Sequence, residues 1–145
     1  MADLKQLDRV ALLAKTAEVK AADALAQKQR EFQKSSQQLQ QLEGFRSEYE
    51  LRLKAMSGNG ISVRQLQDYQ QFLGNLNRAI SQQSDEVERD DVQVQSEREH
   101  FIERSLRRDS LEQLIGRRRV DEQQRVADVE QRQHDEESLR RYVSE

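Results

Sequence analysis

Stepping alternately three and four residues along the chain from Leu4 lands on Leu7, Ala11, Ala14, Ala21, Leu25, Phe32, Leu39, Leu42, Tyr49, Leu53 and Met56. Only Glu18, Lys28, Ser35 and Arg46 interrupt the apolar run, and no insertion shifts it. A spacing of 3.5 residues keeps one narrow stripe on the same side of a supercoiled helix. The stretch therefore reads as a coiled-coil strand that needs a second helix to cover it. Composition agrees: 34% of the 145 residues are apolar and 35% charged, too few apolar residues for an ordinary globular core of that size but enough for a seam. Proline is absent, and the sustained period sets the chain apart from a disordered one.

The pattern stops at Ser57–Gly58–Asn59–Gly60, where glycine and asparagine can take the left-handed conformation that ends a helix. Restart signals follow at once. Ser62 with Gln65 three residues later makes a capping box, and Ile61 can staple onto Leu66. The second heptad runs through Leu66, Tyr69, Leu73, Leu76 and Ile80, and its a positions continue as Val87, Val94, Phe101 and Ile115. Its d positions turn polar at Gln83, Asp90, Glu97 and Arg104, which predicts a looser seam with drifting register beyond about residue 82.

These elements predict an all-α fold: one antiparallel two-helix coiled-coil hairpin over residues 1–145, with helix 1 over about 3–57, a tip at 58–61 and helix 2 over about 62–143. Antiparallel a-to-d pairing matches Leu39 with Leu76, Leu42 with Leu73, Arg46 with Tyr69, and Tyr49 with Leu66, pairs whose numbers each sum to 115 and place the fold point near 57.5. The arms are unequal, since residues after about Glu112 have no partner on the first helix.

Several chemistries are disfavoured. Without cysteine there are no disulfides, thiolate metal sites or cysteine nucleophile. His100 and His134 lie too far apart on one helix to share a metal, and Glu97–Arg98–Glu99–His100 supplies only one copy of a Glu-x-x-His motif that needs two. Gly58–Asn59–Gly60 has no Gly-Lys-Ser/Thr after it and is not a phosphate loop. A two-helix rod offers no water-excluding pocket, so no enzymatic activity and no cofactor are expected. Neither a signal peptide nor a run of ~20 apolar residues is present, so a cytoplasmic chain is expected. The formal net charge of −3, with both signs interspersed, points to protein partners rather than nucleic acid.

Two surfaces are candidates for such partners. Phe45 and Phe72 occupy g positions beside the seam, where water reaches; the register above sets them next to each other, and Gln38 next to Ala79. The two rings either cover each other or form a docking surface that Leu42, Tyr49 and Leu76 extend. The second candidate is the basic cluster Arg104, Arg107, Arg108, Arg117, Arg118 and Arg119, interrupted by Asp109, Glu112, Asp121 and Glu122. It is a solvated helix face, a patch for an acidic protein, or, least in keeping with the interruptions, a nucleic-acid contact.

Leu42–Glu43–Gly44–Phe45–Arg46–Ser47–Glu48–Tyr49, Gly58–Asn59–Gly60–Ile61, Asp68–Tyr69–Gln70–Gln71–Phe72–Leu73 and the stretch from Leu76 to Ile80 resemble FliJ, a coiled-coil component of the bacterial flagellar type III export apparatus; the match spans about residues 38–83. The resemblance implies a hairpin similar to the central stalk of rotary ATPases. Its open end would insert in the pore of the hexameric export ATPase FliI, and its tip-proximal part would contact the export gate protein FlhA. It implies gate contact through Gln38, Leu42, Phe45, Tyr49, Phe72, Leu76 and Ala79, and leaves the arginine cluster as the expected ATPase contact. It also implies a chain that is monomeric when free, serves export chaperones, and sits in the cytoplasm, peripherally at the inner membrane at the flagellar base. Phe45 stands where tyrosine is usual in the family, and Gln83 where histidine occurs. Competing expectations are the stalk of a virulence type III secretion system and a homodimeric structural coiled coil.

Overall fold

A computed structural model describes residues 3–144; the outermost ends of the expected 1–145 hairpin lie outside them. Two helices account for nearly all of this span: α1, Leu4–Asn59, and α2, Val63–Ser144. No strand occurs among the described residues. The helices pack against each other within one chain, so the seam of α1 is covered by α2 of the same molecule.

The connection is Gly60–Ile61–Ser62. Gly60 has φ +79°, the left-handed conformation that turns the chain out of α1. The capping box closes in both directions: the Gln65 backbone N–H donates to Ser62 Oγ at 3.1 Å, and the Ser62 N–H donates to Gln65 Oε1 at 3.2 Å. Two orphan donors at the start of α2 are thereby satisfied. Helix α1 runs past Ser57 and Gly58 to Asn59, beyond the expected end at residue 57, because an exposed glycine costs a helix only about 1 kcal/mol and the Ser57 hydroxyl bonds back to the Leu53 carbonyl at 2.8 Å.

The heptad holds throughout. Every a and d residue from Leu4 to Met56, and from Leu66 to Arg118, is buried or half-buried. The most buried side chains are Leu7, Ala14, Glu18, Ala21, Ser35, Leu76, Ile80, Val94 and Ile115, all of them seam positions. The expected drift beyond residue 82 does not occur. Gln83 stays on the seam because its amide donates to the Ser35 carbonyl at 2.9 Å and to Gln38 Oε1 at 3.3 Å, so a polar d residue is accommodated without leaving an orphan group.

The partnering, however, differs from expectation by one heptad. Tyr49 faces Phe72 and Tyr69, with ring centroids at 4.3 and 6.2 Å, instead of Leu66. Tyr69 donates its hydroxyl hydrogen to Met56 at 3.2 Å, and Arg46 reaches Asn77 at 3.4 Å. These contacts centre the mirror on Gly60–Ile61–Ser62, midway between the helix ends, and not near residue 57.5. A slide of seven residues leaves every a and d assignment intact, so the seam residues are as expected while their partners are not.

Two compact units divide the chain: Ala21–Phe101, which holds the bend, and the residues up to Lys20 with those from Ile102 onward. In the second unit the same slide is seen in the Asp8–Arg119 ion pair at 2.9 Å. It moves the end of the paired region from about Glu112 to Arg118. Every described residue from Arg119 on is exposed.

Candidate functional site

In the unit that holds the bend, the aromatic stripe separates into seam and surface. Leu76 is a buried seam residue at 8% exposure, whereas Phe45 is 53% and Phe72 41% exposed. Leu42, Tyr49 and Ala79 are half-buried and Gln38 is exposed. The surface is thus carried by the g positions Phe45 and Phe72, and Leu76 supports it from beneath. The expected neighbour relation of Phe45 and Phe72 is corrected by the one-heptad slide. The ring against Phe72 is that of Tyr49, tilted by 33°. The Arg52 guanidinium also stands over the Tyr49 ring, 5.6 Å from its centroid. Tyr49 is therefore held by contacts with a ring and a cation. The same register sets Phe45 across from Ala79, a small side chain that leaves the Phe45 ring open to solvent.

Gln38 flanks Glu86 across the seam, and the two line a shallow groove with Lys34 and Asp90; the expected Gln38–Ala79 pairing is moved by the same slide. The candidate surface is accordingly aromatic near the bend and polar at the Gln38 end.

In the other unit the arginines do not form one set. Arg108 lies on the seam and is bound within the chain: its Nε donates to Glu18 Oε2 at 2.9 Å and its Nη1 to Glu112 Oε2 at 2.7 Å. Glu18 is itself only 7% exposed and also accepts from Lys15 at 2.9 Å. The Lys15 ammonium and then the Arg108 guanidinium, with Ser105 assisting, hold the Glu18 carboxyl down at about 2, and Glu18 and Glu112 in turn push Arg108 up. Arg119 is occupied by Asp8, and Arg118 is half-buried at the last seam position. Arg104, Arg107 and Arg117 make no ion pair among the described residues. Arg117 is on a different face of α2, beside a shallow hollow formed with Gly116, Val120 and Asp121.

Sequence reasoning missed the exposed apolar residues of this unit. Val10, Leu12, Leu13 and Val19 on α1 are 39, 68, 69 and 48% exposed, and Ile102 and Leu106 on α2 are 50 and 64% exposed. A groove of about 340 Å³ opens between Val10, Leu13, Ala14 and Ala17 on one side and Arg104 and Arg107 on the other. The signal was present in Val10–Ala11–Leu12–Leu13–Ala14, a stretch apolar on more faces than a two-helix seam can bury. Among the described residues no cluster of carboxylates, histidines or cysteines could hold a metal ion, and no helix is long and apolar enough to cross a membrane.

A family model described as "Flagellar FliJ protein" matches residues 4–145, nearly the whole chain. Comparison with curated proteins and with solved structures returns no match.

Proposed function

Since the chain belongs to the flagellar FliJ family and is a component of the flagellar export apparatus, we propose that it works as a stalk that joins the export ATPase ring to the export gate. In this reading the unit holding the bend binds the gate protein FlhA, and the unit holding both chain ends enters the pore of the FliI hexamer. The chain acts by binding and not by catalysis, in the cytoplasm at the inner membrane beneath the flagellum. It is monomeric when free, contacts no nucleic acid, and can receive export chaperones on its remaining helix surface. A virulence-system stalk is disfavoured because the matching family is the flagellar one.

The observation that carries the gate contact is the exposure of Phe45 and Phe72 on one flank of a seam that is already closed by Leu76 and Ile80. Phe45 covers no seam residue described above, Phe72 packs on Tyr49 yet keeps much of its ring in water, and exposed aromatics on a well-supported surface suit a protein partner. The double variant Phe45→Ala/Phe72→Ala should weaken binding to the FlhA cytoplasmic domain by about tenfold or more, the scale of one lost hot spot, with helicity by circular dichroism retained. Unchanged affinity would count against the assignment.

For the ATPase contact, the geometry shifts weight from the arginine cluster as a whole to Arg104 and Arg107 with the apolar surface around Val10 and Leu13, because Arg108 and Arg119 are engaged inside the chain. Co-assembly of Leu13→Gln/Arg107→Gln with FliI, scored against Arg108→Gln, separates the two: the first variant should lose ring binding, the second chiefly thermal stability.

A further inference from the structure

We propose that Asn59 is a site of spontaneous deamidation and isomerisation, a covalent change located at the bend between α1 and α2. The sequence holds three asparagines, Asn59, Asn75 and Asn77, and only Asn59 precedes a glycine. Asn75 and Asn77 lie inside α2, where the following N–H is held in the helix ladder, and both side-chain oxygens accept hydrogen bonds, from Arg78 and Arg46 respectively.

Asn59 differs in each respect. It is the last residue of α1 and is exposed, and its side-chain amide makes no hydrogen bond among the described residues. The next nitrogen, that of Gly60, lies beyond the helix and has only a long 3.4 Å bond to the Ser57 carbonyl. Gly60 has no side chain to shield that nitrogen, and nothing stands within 4 Å of the position a Cβ would take. Nucleophile and electrophile are adjacent in sequence, unshielded and weakly held.

The chemistry is complete with solvent water as co-reactant. The Gly60 amide nitrogen loses its proton to base and attacks Cγ of Asn59; the C–N bond to the side-chain amide breaks and ammonia leaves, closing a five-membered imide. Water then opens either carbonyl. One opening returns the ordinary backbone with aspartate at position 59; the other routes the main chain through the former side chain and leaves isoaspartate. Aspartate puts a negative charge at the C-terminal end of α1, where the helix dipole opposes it. Isoaspartate instead adds a methylene to the main chain beside Gly60, altering the short connection that sets the register of the two helices.

The test is peptide mapping of the full chain during incubation at mildly alkaline and mildly acidic pH, with isoaspartate detected by enzymatic methylation and a free peptide spanning residues 55–65 as the reference. Asn59 should convert to a mixture dominated by isoaspartate, faster in the alkaline sample, while Asn75 and Asn77 stay intact; Asn59→Gln should abolish the product. The aged chain should melt below Asn59→Asp, which carries the charge without the inserted methylene. The proposal is overturned if Asn59 remains intact after the free peptide has converted, or if the three asparagines convert at equal rates.

Discussion

Glu18 takes a seam position where the heptad calls for an apolar side chain, and its acceptance there depends on Arg108, Lys15 and Ser105. In the unfolded chain its carboxyl protonates near the ordinary 4.5, whereas in the fold it stays ionised down to about 2. The folded state therefore binds fewer protons in that window. The stability this group contributes is complete above about 4.5 and is lost as pH falls toward 2. Thermal melts across that range should show an acid-induced decline that Glu18→Gln reduces. A buried ion pair is rarely the most stable filling of its space, so Glu18→Leu/Arg108→Leu should melt above either single variant. A double variant that melts below both would mean the pair stabilises more than packing can replace. At Leu76, 8% exposed, truncation to alanine should cost about 2–5 kcal/mol in denaturant unfolding. Phe72→Ala should cost less, because its ring is partly in water already.

At the level of the helices, the turn and the cap set which residues meet. The Ser62–Gln65 box is the only reciprocal side-chain closure at the bend, and Ser62→Ala should lower stability by about 0.5–2 kcal/mol. The seam positions could be read directly from the sequence because burial on a two-helix coil follows the 3.5-residue rhythm, even at Ser35, Gln83 and Arg104. Partner identity could not. Sliding one helix by a heptad returns apolar positions to apolar positions, so the pattern is satisfied equally at several offsets, and only the geometry of the connection distinguishes them. The pairing of Leu39 with Leu76 and Leu42 with Leu73, mirrored near residue 57.5, is one such offset, and the expected Phe45–Phe72 contact depends on it. The aromatic surface itself survived, since a g position stays a g position under the slide. Which arginines are free did not survive, because ion pairing depends on partners. Spin labels at positions 45 and 79 should therefore report a shorter distance than labels at 45 and 72, by roughly 5 Å, because the ~10 Å rise of one heptad adds at right angles to the ~9 Å between the helices. The opposite order would restore the mirror near residue 57.5.

For the molecule as a whole, α2 outlasts its partner: from Arg119 to Ser144 every residue is exposed. A chain ending at Val120 keeps the seam and the Asp8–Arg119 pair, and should melt at the temperature of the full chain with a helical signal reduced in proportion to the residues removed. A markedly lower midpoint would show that the terminal arm supports the paired helices. No described side chain falls below 2% exposure, so even the best-covered residue still touches solvent. A structure of this kind has no keystone. Its cohesion is shared out in small, interchangeable contributions along the seam, and nearly any residue of suitable size can stand in for another without collapse. Such a chain can change many of its letters and still zip, so long as the cadence of the repeat is kept.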